Sequence, residues 1–105
     1  MFAAEWELAQ LDRRRAPRAP VSLDTELGRG GLERALCRVT NLSKLGAKLQ
    51  TYSGLRRGTT IWLTLPGLGQ RAADVIWADD FIAGCQFREP LTQEQVDTLA
   101  AENPA

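Results

Sequence analysis

The stretch Ala35-Leu36-Cys37-Arg38-Val39-Thr40-Asn41-Leu42-Ser43-Lys44-Leu45-Gly46-Ala47-Lys48-Leu49-Gln50 decides the fold. Ala35, Cys37 and Val39 alternate with Leu36, Arg38 and Thr40, the period of a strand with one face buried, and the alternation ends near Asn41. It restarts at Ala47 and Leu49, with Lys48 and Gln50 on the other face. The connection between them holds turn formers: Asn and Ser side chains bond nearby backbone groups, and Gly46 permits a positive φ. Strand, short polar connection and strand read as a hairpin.

The same period recurs on both sides. Upstream, Val21, Leu23, Thr25 and Leu27 alternate with Ser22, Asp24 and Glu26, and Gly28, Gly30 and Gly31 mark a turn. Downstream, Ile61, Leu63 and Leu65 alternate with Trp62 and Thr64 until Pro66, Gly67 and Gly69 stop them. Ala73, Val75 and Trp77 form a fifth set, broken by Asp79-Asp80. Ala83, Cys85 and Phe87 form a sixth, in which Gly84 allows close backbone approach or a bend. Six short strands at turn-punctuated spacing predict an antiparallel sandwich or barrel with Val39, Leu49, Leu63, Val75 and Phe87 facing inward. Trp77 falls on the inward set and reads as core rather than as a platform for a ligand. Trp62 is the large aromatic on the polar face of its strand.

A helix ends the chain. Thr92 and Gln95 are spaced as a capping box and Leu91 and Val96 as a hydrophobic staple, so Val96 and Leu99 are expected to face the barrel. At the other end, Met1 to Leu11 carries Phe2, Trp6, Leu8 and Leu11. That permits a short amphipathic helix or equally a frayed tail. Residues 1–11 are therefore read as an extension and 12–105 as a single domain, since 105 residues support one core and not two.

Composition narrows the function. Lys and Arg number 13, as do Asp and Glu, so a nucleic-acid binder driven by bulk positive charge is not expected and any anion recognition must be local. No apolar run is long enough to cross a bilayer and no signal peptide is apparent, which reads as a cytoplasmic chain without membrane insertion. Cys37 and Cys85 lie in apolar segments and read as packed thiols. With no histidine, no close cysteine pair and no nucleophile–base pair, neither a metal site nor an enzyme is expected.

Local charge is concentrated at Arg13-Arg14-Arg15-Ala16-Pro17-Arg18. Guanidiniums repel one another unless solvated or facing an anion, and Pro17 pushes Ala16 toward an extended conformation. Arg14 and Arg18 can then act as two arms of a clamp, with planar donor forks suited to phosphate or to a guanine edge. Taken alone, the stretch reads more simply as a solvated basic linker.

The pairing of two motifs changes that weighting. Arg14-x-x-x-Arg18 stands just before the first strand, and Asn41-x-Ser43-x-x-Gly46 closes the second. In order, spacing and strand context the chain resembles the PilZ domain family, marked by RxxxR and [D/N]xSxxG, from about Asp12 to the C-terminal helix. The resemblance implies a six-stranded antiparallel barrel that binds cyclic di-GMP, a bacterial second messenger, on its outer face. By the same resemblance Arg14 and Arg18 contact guanine bases and phosphates, Asn41 and Ser43 face polar groups of the ligand, and Gly46 lets the turn form. Arg13 and Arg15 are additional charges. The implied function is a cyclic di-GMP receptor that needs no further cofactor, changes conformation on binding and signals through a protein partner. The alternative is an adaptor of the same shape that binds no nucleotide; it has no physical need for the arginine clamp.

Overall fold

The computed structural model describes residues 17–31 and 34–105. Six strands follow in chain order: β1 (Ala19–Gly28), β2 (Arg34–Leu42), β3 (Gly46–Thr51), β4 (Thr60–Leu65), β5 (Gly69–Asp79) and β6 (Ile82–Phe87), then helix α1 (Gln93–Glu102). All neighbours pair antiparallel. The strands close into a barrel in the order β1-β2-β3-β6-β5-β4. The barrel predicted from the alternation is present. β5 is longer than its apolar pattern, because Gly69 to Ala72 extend it as partners of Leu65 to Trp62.

The interior is what a period of two selects. Val39, Leu49 and Leu63 are fully enclosed, and Val75 and Phe87 join them. Cys37 and Cys85 are buried free thiols. Burial disfavours the thiolate, pushing Cys37 up to about 11 and Cys85 up to about 12, so both pack as neutral side chains.

Besides a register shift in β1 between Pro20 and Leu23, two bulges break the period, and both bear on function. The pairing of β2 with β3 slips between Val39 and Asn41, so that Val39 faces Leu49 while Asn41 faces Lys48. The pairing of β5 with β6 slips between Val75 and Trp77, opposite Cys85 and Gly84 respectively. One inserted residue exchanges the two faces of everything beyond it. Past Thr40, Leu42 therefore turns into the core and Asn41 out of it. Past Ile76, Ala78 packs against the core and Trp77 does not. Strict alternation placed Trp77 inside; the bulge overturns that reading.

The join between β1 and β4 is narrow. Only Leu27↔Leu63 and Gly28↔Trp62 are in register, with the Thr25 hydroxyl donating to the Thr64 carbonyl beside them. The rest of that β1 edge meets the end of the chain, where Ser22 N–H donates to the Asn103 carbonyl at 3.0 Å and Val21 bridges Pro104. α1 starts as the capping box requires. Gln95 N–H donates to Thr92 Oγ1 at 3.1 Å and Thr92 N–H to Gln95 Oε1 at 2.9 Å. Val96 and Leu99 face the barrel, with Leu91 buried before them.

Candidate functional site

The connection between β2 and β3 is built around Ser43. Its hydroxyl accepts from the backbone N–H groups of Leu45 and Gly46, both at 3.2 Å, and donates to the Gly46 carbonyl at 3.3 Å. The Ser43 N–H donates to the same carbonyl at 2.9 Å. Ser43 is only 2% exposed, so this side chain replaces backbone partners that a three-residue connection cannot supply. The Ser43 side chain is thus part of the buried framework of the turn.

Gly46 is needed for a different reason from the one its sequence context suggests. It does not adopt a positive φ. A Cβ there would stand 2.1 Å from the Cys85 carbonyl oxygen, so the residue is glycine because β3 meets β6 too closely for a side chain. The connection is tied down on its other side as well. The Lys44 carbonyl accepts from Leu91 N–H and the Leu45 carbonyl from Phe87 N–H, each at 2.8 Å.

Beside this connection lies a hollow of about 30 Å³ on the outer surface, bordered by Arg18, Asn41, Ser43, Lys48 and Trp77, with Gly84 and Cys85 beneath. It is too small to enclose a nucleotide, so a ligand of that size would lie across it. Arg18 arrives from the start of β1, Asn41 from beyond the first bulge and Trp77 from beyond the second. The indole rests on Gly84, where a Cβ would come within 2.1 Å of Trp77 Nε1. A glycine on one strand and a bulge on its neighbour thus fix a flat aromatic surface outside the barrel. Among the described residues no carboxylate borders the hollow, and neither Arg18 nor Lys48 has an ion pair. A chain of zero net charge therefore carries a local cationic surface.

Of the residues expected from sequence, Arg18, Asn41, Ser43 and Gly46 come together here. Arg13, Arg14 and Arg15 lie outside the described residues, as does the Met1–Leu11 extension. Sequence reasoning missed Lys48 and Trp77. The available signal was Gly84, a glycine in mid-strand whose missing side chain makes room for something.

A family model described as PilZ domain matches residues 12–102. The chain belongs to the PilZ domain family. No curated protein matches it. PilZ domains are binding modules, generally for cyclic di-GMP, and the six-stranded closed barrel agrees with the assignment. Among the described residues no helix is long and apolar enough to cross a membrane, and no group of three His, Cys, Asp or Glu side chains is placed to hold a metal ion.

Proposed function

We propose that this PilZ domain is a non-enzymatic cyclic di-GMP receptor of the bacterial cytoplasm that signals through a protein partner. The observation that supports it most is the convergence of Arg18, Asn41, Lys48 and Trp77 on one surface that no carboxylate of the described residues borders. A dinucleotide with two phosphates and two guanines needs cations, planar hydrogen-bonding groups and a stacking surface. Arg18 supplies a guanidinium fork, Lys48 a point charge, Asn41 an amide that donates and accepts, and Trp77 a face for a base.

Ser43 and Gly46 act in this reading chiefly by shaping the connection that presents Asn41. Arg14 completes the clamp with Arg18 over a ligand laid on the barrel, and Arg13 and Arg15 add positive charge to the same arm. Closure of that arm over the ligand is the conformational change offered to the partner.

Calorimetric titration of the full chain with cyclic di-GMP tests this. Saturable binding is expected, weakening as salt rises because the contacts are exposed. Arg14→Ala and Arg18→Ala each remove hydrogen bonds to charged groups, worth about 1.5–3 kcal/mol, and should weaken binding roughly 10- to 150-fold. Absence of heat and of chemical-shift change at saturating ligand overturns the receptor reading in favour of the nucleotide-free adaptor.

A further inference from the structure

The outer surface carries a second tryptophan site, unrelated to the first. Trp62 lies on β4, opposite β3 in the six-strand ring and therefore across the barrel from Lys48. Its partners across the ladder are Gly28 on one side and Ala72 on the other. These small neighbours leave room beside the indole, the Gly30 turn approaches its outer ring, and Trp62 stays partly exposed in mid-strand.

Beside it opens a groove of about 560 Å³, far larger than the hollow at Trp77. Trp62, Leu68 and Ala72 supply apolar lining, and Arg71 and Arg88 supply charge. The two arginines differ. Arg88 is engaged, donating to Asp74 at 3.0 Å and to Thr60 at 2.8 Å. Arg71 is partly buried, yet among the described residues it has no hydrogen bond and no ion pair. A guanidinium with no acceptor of its own among the described residues is available to an incoming anion. The exposed Glu89 is the acid on the groove's lining, and it makes no ion pair with Arg71.

We propose that this groove is a docking site for a peptide segment of a partner protein carrying a carboxylate beside an apolar side chain. The apolar side chain packs on Trp62, Leu68 and Ala72, and the carboxylate meets the fork of Arg71. Aromatic and arginine anchors beside one another are the composition that concentrates binding energy at interfaces. A small anion alone would leave the indole and Leu68 exposed, and an apolar peptide alone would leave Arg71 without an acceptor. The inference does not rest on the nucleotide reading, because the groove shares no residue with the hollow at Trp77.

Panning a random-peptide display library against the full chain provides the test. Enriched sequences should combine Asp or Glu with a large apolar residue. Titrated into labelled protein, a synthetic copy should shift the Trp62 indole N–H together with the Arg71 and Ala72 amides. Arg71→Glu should weaken that peptide at least tenfold, and exchange of the peptide's acid for lysine should restore binding to Arg71→Glu. Cyclic di-GMP titration of Arg71→Glu should match the unmodified chain, which separates failure here from failure of the receptor reading. Enrichment of peptides without acids, shifts that map elsewhere, an Arg71→Glu variant that binds as well as the parent, or tighter binding of a single-stranded oligonucleotide at the same residues would each overturn the proposal.

Discussion

The connection at Ser43 and the arm at Arg18 border the same hollow but are held in opposite ways. Ser43 is buried, with its hydroxyl and N–H committed to the backbone around it, and Gly46 is wedged against the Cys85 carbonyl. Arg18 is exposed, and no described residue pairs with it. One half of the family motif is spent on architecture, the other is left available to a ligand. Motif membership therefore does not say what a residue does; its burial and its existing partners do.

Substitution can break this contrast, and the largest effect belongs to Gly46. Alanine there drives a methyl group into a backbone oxygen of the partner strand. Overpacking of this kind costs about 1–3 kcal/mol or more, and backbone cannot rotate aside as a side chain can. Urea denaturation should show loss at or above the top of that range. A Gly46→Ala protein as stable as its parent would mean that β3 and β6 are not packed as described.

Ser43→Ala comes next. It strips the partner from the Leu45 and Gly46 N–H groups, and leaving buried donors unsatisfied costs about 1–3 kcal/mol. Urea denaturation without ligand should show this loss, because the hydroxyl is buried. Loss of ligand affinity with unchanged stability would instead make Ser43 a direct ligand contact.

Gly84→Ala sharpens the contrast from the other side. The displaced group is the Trp77 ring, which can swing outward, so the barrel should survive with a smaller loss than at Gly46. The indole N–H resonance of Trp77 should move. If a base stacks there, affinity for cyclic di-GMP should fall by about 1–3 kcal/mol.

Arg18→Ala should leave stability within about 0.5 kcal/mol of the parent while weakening the ligand. The mildest effect is that of acid. Arg38 beside Asp24, and Arg88 with Thr60 beside Asp74, hold these two carboxyls below the ordinary 3.8. Depressed carboxyls contribute stability that is complete above the unfolded value and disappears as pH falls through the folded one. Stability attributable to these pairs should thus be flat from neutrality down to about pH 5 and decline only below about pH 4. Both pairs are solvent-exposed, so the decline should be slight. A marked loss between pH 7 and 5 would point to another group.

The barrel was legible because apolar side chains at every second position can be buried on one face only, and Val39, Leu49, Leu63, Val75 and Phe87 all obey that rule. The helix was legible because Thr92 and Gln95 act within four residues of one another. Trp77 was misread because a bulge leaves no mark in the alternation of a single strand; it exists only in the pairing of β5 with β6. Lys48 was passed over since a lysine on a polar face is ordinary until its neighbours are known. The role of Gly46 was misjudged for the same reason, since the obstructing carbonyl belongs to Cys85, far along the chain. Local chemistry could be read from the sequence, and contacts between distant strands could not.

The bridge between Val21 and Pro104 has an engineering consequence. It sets Pro104 beside Val21 of the first strand, next to the hydrogen bond from Ser22 N–H to the Asn103 carbonyl. A barrel whose first strand and last described segment lie side by side leaves a gap that a host protein's surface loop can close without a long spacer. The domain can be grafted into such a loop as a cassette. Linked from Pro104 to the start of β1, the barrel is equally suited to circular permutation, with new termini opened at the exposed Pro66–Gly67 turn between β4 and β5.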